Sequence, residues 1–414
     1  MPRIAIIALL VLGAACREES RDDREGDAAP SAESSAAGDP SDELACGSTA
    51  SPRSGAPAGI DSIPCLSVGV LAGDPMEELD RVVTPFLLPD GSLAVPTSGA
   101  STIRIFSSDG AFERSLGGPG AGPGEFEYLA SAWPRGDTIE AFDLAGQRIL
   151  RFLPGDSVAT LALGSAPAAA VYGPLGAGWA TSRLRAHYGA RDSMAVLAVS
   201  RSLEDPAAVV GPPERLSTPL TTAPGMHREV APGISGPHPL SPTAVAAVHA
   251  AEVYVGETQT SILSVYAADG TLRRVIPLPL EPYEDAAGAM RQVIDSAIAL
   301  ADEDDRPDVR ARWSSYRVPA RLSVFWALIV DELGYLWVRP YDPIAHALAL
   351  DGLPSNRGGP GGRWLVLTPE GTEVGWVDVP AGLEPAWITA NAVVGVHRDE
   401  LGVESVRVHR LRRR

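Results

Sequence analysis

Short apolar runs, each ended by turn-forming residues, repeat along the chain from about residue 65 onward. The first clear copy has apolar residues at 86–88, a Pro-Asp-Gly turn at 89–91, a second run at 92–95 and a hairpin around Asp109-Gly110. The next copy, over residues 117–152, has the same layout. Gly91 and Gly136 are 45 residues apart, as are Gly110 and Gly155. Short apolar runs that are bounded by Gly and Asp indicate antiparallel β-hairpins.

A repeat near this length is typical of a four-stranded β-propeller blade. Looser copies follow, and six can be counted, the last of them a strand short. An additional strand, over residues 65–71, precedes the first copy. We therefore predict an all-β, six-bladed β-propeller over residues 61–414, in which the N-terminal strand completes the last blade and leaves no open edge.

Two insertions interrupt the repeat, near residues 203–242 and 281–316. The first is rich in Pro and Gly and predicts a long surface loop. In the second, apolar residues recur at three- and four-residue steps over 284–301, which predicts one amphipathic helix. The acidic run 302–305 ends this helix, and Pro307 prevents its continuation.

Two segments of the repeat resemble a known family. Residues 118–126 read GPGAGPGEF and residues 143–152 read DLAGQRILRF, and together they resemble the NHL repeat. The body as a whole, including DELGYLWV at 331–338, is similar to the six-bladed propeller lipoproteins exported by bacteria. The resemblance implies a fold rather than an activity, because propellers host many unrelated functions.

Some propellers of this kind are lyases, and related six-bladed ones are lactonases that hold a divalent cation with carboxylate and Asn ligands. Asn occurs here only at Asn356 and Asn391, so that ligand set has no counterpart by position. The seven His residues form no HxH, HxxxH or HExxH pair. We therefore expect no cofactor, and a metal at the central axis remains the alternative.

The N-terminus predicts export. Residues 1–15 combine a positive charge at Arg3 with a short apolar run and small residues, the layout of a signal peptide. Cys16 follows, as in a bacterial lipobox, and would be lipidated after cleavage, although an ordinary signal peptidase would cut the same bond. Residues 16–60 are rich in Ser, Ala, Pro and acidic residues and predict a disordered tether. This indicates an envelope protein, anchored by lipid to the outer membrane.

Charge and residue type exclude several functions. The net charge is −18, which disfavours a nucleic-acid partner. We expect the Arg-rich end, Arg410 and residues 412–414, to be a solvated tail. All 34 basic residues are Arg, so chemistry that needs a lysine amine is excluded. Cys46 and Cys65 predict a disulfide in an oxidising compartment.

Two polar clusters are candidate ligand surfaces. Arg183, Arg185 and His187 alternate along a predicted strand, with Tyr188 next to them, so they would face one way and contact an anion; a solvated outer face is the alternative. The second cluster follows a predicted strand at 335–338 and could reach one face of the propeller. Its members are Arg339, Tyr341, Asp342 and His346.

No catalytic residue can be named, because the chain carries no nucleophile elbow, ordered Ser-His-Asp set or phosphate loop. The sequence therefore favours a non-catalytic, envelope-anchored propeller, monomeric, that binds a protein, peptide or glycan. A metal-dependent lyase or hydrolase with its site in the central channel is the alternative, and a purely structural envelope component is a third.

Overall fold

Antiparallel β-strands form most of the described chain. The computed structural model describes residues 55–70, 76–155, 157–163, 168, 170–175, 178–186, 193–199, 217–224, 228–231, 234–237, 240, 244–350, 361–399 and 402–414. It describes the backbone alone for residues 182–186, 193–199, 217–224, 228–231, 234–237 and 349–350. The described residues all belong to one of the chain's two units, Leu44–Arg414.

The first two strands are short: β1 (Pro57–Ile60) and β2 (Leu66–Val68). Five sheets of four consecutive strands follow in the described part of the chain. The first two sheets contain β3 (Phe86–Leu87), β4 (Leu93–Thr97), β5 (Thr102–Phe106) and β6 (Phe112–Leu116), then β7 (Leu129–Arg135), β8 (Thr138–Asp143), β9 (Arg148–Phe152) and β10 (Val158–Ala162). These eight strands are the two sequence copies with the 45-residue offset.

The third sheet contains β11 (Ala170–Leu175), β12 (Gly178–Ala186), β13 (Ser193–Val199) and β14 (Ser217–Pro224). A two-stranded ribbon, β15 (Arg228–Ala231) and β16 (Ile234–Pro237), comes next. The fourth and fifth sheets contain β17 (Ala244–His249), β18 (Glu252–Glu257), β19 (Ile262–Ala267) and β20 (Leu272–Pro277), then β21 (Phe325–Val330), β22 (Leu336–Pro340), β23 (Gly362–Leu367) and β24 (Glu373–Val379).

The last sheet is a composite of both ends of the chain. It contains β25 (Leu383–Ile388), β26 (Ala392–Arg398) and β27 (Glu404–Arg413), and both β1 and β2 pair with β27. The prediction of a β-propeller is confirmed, but the predicted number of six blades is wrong. The described chain has five four-stranded blades, and the sheet expected to be the sixth is five-stranded.

The first strands of successive sheets contact one another in a closed series. The contacts run from β3 to β7, β11, β17, β21 and β25, and β25 contacts β3 again. Buried apolar side chains fill the space between neighbouring sheets. One such core, for example, joins the second sheet to the third, with Trp133, Phe142 and Trp179 each at most 5% exposed. Packing of this kind holds the sheets in a ring.

The turns that mark the repeat are built from Asp and Gly. Gly91 and Gly110 have φ of 87° and 92°, a region that favours glycine. Asp90 Oδ1 accepts a hydrogen bond from the Ser92 N–H at 2.9 Å, which fixes the turn. The spacing that is visible in the sequence is therefore a spacing of hairpins.

The N-terminal strand closes the ring as predicted. Within β2, Leu66 pairs with Val408 and Val68 with Val406, and the Cys65 N–H donates to the Val408 carbonyl at 2.9 Å. Cys65 takes part in a disulfide bond whose other half lies outside the described residues. The pairing with Cys46 remains a prediction.

The C-terminal arginines do not form the tail that was expected: Arg410, Arg412 and Arg414 are exposed, but Arg413 is not. β27 extends to Arg413, whose side chain is fully buried. Its Nη2 lies 2.8 Å from Oδ2 of Asp331, which directly follows β21, and its other N–H groups donate to backbone carbonyls of Gly55 and Ala390. β1 covers the edge of the terminal strand at this point, where Pro57 pairs with Arg413.

The segment 203–242 is not one loop. Residues 217–224 form β14, the fourth strand of the third sheet, and residues 228–237 contain the β15–β16 ribbon. The sequence shows no clear alternation of apolar and polar residues in this segment, because it is rich in Pro, Thr and Ser, which occur both in loops and in edge strands. The insertion is therefore shorter than predicted.

Three helices occur in the described part, where the sequence predicted one. Helix α1 (Ala286–Leu300) matches the prediction, and Asp285 caps it by accepting from the Gly288 N–H at 2.7 Å. Pro307 does not prevent a further helix: it lies in the first turn of α2 (Arg306–Ser314), a position that suits proline. The third helix is α3 (Pro343–Leu350). Helix α1 contacts both others, and the three form a helical cap.

Candidate binding site at the capped end of the channel

The central channel has two distinct ends. The final residues of all six inner strands surround a cavity of about 580 Å³. We call this the cavity end. The inner strands therefore begin at the opposite end, where β21 starts at Phe325 and its partner β22 finishes at Pro340. Because the helical cap is inserted between β20 and β21 and between β22 and β23, we call this the capped end.

Polar groups at the cavity end already serve the fold. Asp331 binds the guanidinium of Arg413 and the indole N–H of Trp337. Glu332 Oε2 accepts from the Ala390 N–H at 2.9 Å, and its carbonyl lies 3.1 Å from His249 Nε2. These contacts hold the strand ends together, and most of the remaining wall is apolar, including Leu88, Val330 and Trp387.

At the capped end, Arg339 lies at the centre of an aromatic cluster. An irregularity in the β21–β22 register falls between Phe325 and Ala327, so Trp326 is the extra residue of the strand. The Arg339 guanidinium carbon lies 4.4 Å from the Trp326 ring centroid and 6.0 Å from that of Trp364. These distances are those of cation–π contacts.

An ion pair connects Arg339 to the composite sheet. Its Nη1 lies 3.0 Å from Glu384 Oε2, with the arginine side chain 7% exposed and the glutamate side chain 39% exposed. Burial lowers the pKa of Arg339, and Glu384 opposes that shift. The guanidinium remains charged, because its ordinary pKa is so high. Its positive charge therefore lies beneath an accessible carboxylate.

His346 brings two further rings to the cluster. Its ring centroid lies 4.5 Å from that of Trp326, edge to face, and 5.3 Å from that of Tyr341. Burial lowers the pKa of His346 to about 4, and the Arg339 charge contributes. The imidazole is therefore neutral at neutral pH, with one nitrogen able to donate and the other to accept.

Three polar atoms on His346 and the two rings it contacts are buried and have no hydrogen-bond partner among the described residues. They are Tyr341 Oη, His346 Nδ1 and Trp326 Nε1. Tyr341 is only 5% exposed, and burial, followed by Asp342 and Tyr283, raises its pKa. Buried polar groups in native proteins are nearly always paired, so three such groups around one histidine make this cluster a candidate site for a hydrogen-bonding ligand.

Exposed residues border the cluster. Tyr283 is 47% exposed, and burial and the Asp342 charge raise its pKa. Asp342 is exposed, and its Oδ1 accepts from the Ile344 and Ala345 N–H groups at 3.0 Å each, which caps α3. The site therefore has a buried floor and an acidic, partly aromatic rim.

The second predicted cluster is thus brought together at one end of the channel. Arg339 lies in β22, His346 lies on α3, and Tyr341 and Asp342 lie in the connection. Sequence reasoning missed Trp326 and Glu384, which lie in other sheets or strands and come close only in the fold. Nothing local marks these two, apart from a tryptophan that interrupts strand alternation.

The first predicted cluster can be located only in part. Arg183 and Arg185 lie in β12, but their side chains are outside the described set, as are His187 and Tyr188 entirely. A register irregularity falls between Leu184 and Ala186, so the strict alternation on which the prediction rested is interrupted there. The shared face of these residues remains a prediction.

The described residues contain no group of three or more His, Cys, Asp or Glu side chains that could hold a metal ion. No helix among the described residues is long and apolar enough to cross a membrane.

Comparisons with known proteins show neither a family nor an activity for this chain. No family model matches the chain, and no curated protein matches it. Solved structures of propeller-type proteins resemble it, with identities too low to concern activity. They include a catalytically inactive virginiamycin B lyase from Staphylococcus aureus with quinupristin, at 9% identity and a TM-score of 0.41 over 84% of this chain and 99% of that one. A DUF4221 member from Bacteroides vulgatus has 10% identity and a TM-score of 0.44, over 86% of this chain and 99% of that one. A calcium-binding regucalcin from Agrobacterium tumefaciens has 10% identity and a TM-score of 0.40, over 86% of this chain and 96% of that one.

Proposed function

We propose that the protein is an exported propeller, lipid-anchored through Cys16, which binds a protein, peptide or glycan at the capped end of its channel. In this proposal the composite sheet serves as a sixth blade, so that the site is surrounded by a complete ring. The ligand contacts Trp326, Tyr341 and His346 and approaches past Glu384. Lipidation places the site in the cell envelope, at the outer membrane.

One observation carries the proposal: three unpaired hydrogen-bonding atoms belong to one aromatic cluster beneath an accessible rim. An unpaired buried group costs about 1–3 kcal/mol. A cluster of them destabilises the free protein unless something fills their hydrogen bonds. A ligand that does so recovers that free energy on binding, which is a physical reason for the arrangement to exist.

Replacing Tyr341 by Phe separates a binding role from a structural one. The change removes the unpaired hydroxyl and keeps the ring, so the free protein is expected to become more stable by roughly 1 kcal/mol. Ligand binding is expected to weaken at the same time. A structural hydroxyl would give the opposite sign, with lower stability.

The experiment uses the full mature protein, purified in detergent. Envelope extract is separated into protein, peptide and glycan fractions, and each is tested for a rise in melting temperature. Tyr335→Phe is the matched control, because this tyrosine directly precedes β22, at the opposite end of the strand from Tyr341. We expect one fraction to stabilise the wild type and Tyr335→Phe but not Tyr341→Phe.

Two results would count against the proposal. Equal stabilisation of Tyr341→Phe and the wild type would place the ligand elsewhere. Stoichiometric, tightly held zinc or calcium in the purified protein, found by elemental analysis, would favour the metal-dependent lyase or hydrolase instead.

A further inference from the structure

The chemistry of the capped-end site also limits the kind of ligand it accepts. We infer that the ligand is an uncharged, hydroxyl-bearing ring, that is, a neutral sugar unit, bound among Trp326, Tyr341 and His346. This inference rests on the proposed function, since it names the class of ligand for the same site. It selects the glycan among the three classes of partner.

The unpaired atoms call for a partner that both donates and accepts hydrogen bonds. The Trp326 indole N–H is only a donor, the Tyr341 hydroxyl is donor and acceptor, and His346 Nδ1 donates or accepts according to the tautomer of the neutral ring. A carboxylate or phosphate only accepts, and an ammonium group only donates. Neighbouring hydroxyl groups on one ring match such a mixed set.

The charges around the site disfavour an anion. The positive charge of Arg339 is already paired with Glu384, at 3.0 Å. A second carboxylate, that of Asp342, lies close enough to raise the pKa of Tyr341. An anionic ligand would therefore face these two carboxylates as well as the guanidinium of Arg339, a repulsion that strengthens when water is displaced.

The same charges disfavour a cation at the floor of the site. Arg339 lies against the Trp326 ring and lowers the pKa of His346, so its field reaches the unpaired atoms. An ammonium group bound there would meet that field directly. A neutral ligand avoids both conflicts and can still use every unpaired group.

Aromatic side chains supply apolar surface for the carbon-bound hydrogens of a sugar ring. Tyr283, 47% exposed, stands at the rim, while Trp326 and Tyr341 lie deeper. Amphipathic rings of this type present a flat apolar face and a polar tip to one ligand.

The test compares three ligands that share one ring and differ in charge: glucose, glucuronate and glucosamine. N-acetylglucosamine, galactose and maltose extend the neutral set. Binding to the full mature protein is followed by tryptophan fluorescence and by saturation-transfer NMR. We expect at least one neutral sugar to saturate below about 10 mM and to bind about tenfold more tightly than its charged counterparts.

Variants locate the binding and test its electrostatic basis. Trp326→Phe and Tyr341→Phe each remove one hydrogen-bonding atom and are expected to weaken sugar binding about tenfold, while Tyr335→Phe leaves it unchanged. Glu384→Gln keeps an acceptor for Arg339 but removes the negative charge. It is expected to narrow the preference for glucose over glucuronate several-fold.

The outcomes distinguish the inference from the proposed function. If glucuronate binds as tightly as glucose, or if no neutral sugar saturates, the sugar inference is wrong. If a peptide or protein fraction then still stabilises the wild type but not Tyr341→Phe, the proposed function stands without the sugar inference. If Tyr341→Phe changes the response to no fraction and no sugar, both are wrong.

Discussion

Removing the Arg413 side chain tests whether the two ends of the chain lock the ring. In Arg413→Ala, the buried carboxylate of Asp331 loses its guanidinium partner, 2.8 Å away. The carbonyls of Thr389, Ala390 and Gly55 lose donors as well. Both charged side chains are fully buried, so solvent does not replace the lost contacts.

The expected cost is large for a single terminal residue. Breaking a buried ion pair by removing one partner costs about 3–5 kcal/mol, against a total stability of about 5–15 kcal/mol for a typical domain. Arg412→Ala is the matched control. Its side chain is 64% exposed and pairs with Asp61 at 3.0 Å, so its loss should cost at most about 1 kcal/mol.

Urea unfolding, followed by tryptophan fluorescence, measures both variants. A second substitution, Asp331→Asn, should recover part of the loss in Arg413→Ala, because it removes the uncompensated buried charge. The reasoning is refuted if Arg413→Ala and Arg412→Ala unfold within about 1 kcal/mol of each other.

Three further predictions concern other parts of the chain. Glu140→Gln should destabilise the protein by about 3–5 kcal/mol in urea unfolding, because the buried Glu140 carboxylate pairs with Arg135 and Arg151; a loss below about 1 kcal/mol would contradict this. Since the folded protein holds the pKa of His346 at about 4, below its ordinary 6.5, the unfolded chain binds the proton first as pH falls. Stability should therefore drop by roughly 3 kcal/mol between about pH 6.5 and pH 4 and drop less in His346→Gln; identical profiles would refute it. Cys16→Ser should release the protein from membranes, and unchanged membrane association in fractionation would exclude the lipid anchor.

The repeat could be predicted because its marks are local. A turn such as Asp109-Gly110 needs particular residues at adjacent positions, and the interval between turns shows the size of the blade. Helix α1 could be predicted for the same reason, since its buried Met290, Val293 and Ala297 are spaced within one helix. These elements are determined by neighbours along the chain.

The features that were missed depend on distant neighbours. Arg413 looks like part of a charged tail until β1, more than 350 residues earlier in the sequence, covers it. Helix α3 has apolar residues around most of its surface, because it packs beneath α1, so it shows no polar face to mark it. Glu384 meets Arg339 across two sheets. Contacts of this kind exist only after the ring has closed.

The pairing of β1 with β27 brings Gly55 and the C-terminus together at one end of the propeller. Gly55 and Arg414 both lie beside Arg413, which also contacts Thr389 and Ala390 at the cavity end. The chain thus enters and leaves the ring at the same end. A surface, resin or fusion partner attached at Gly55 or at Arg414 would be joined there, at the opposite end of the channel from Trp326 and His346. The molecule can therefore be immobilised for binding measurements without covering its candidate site.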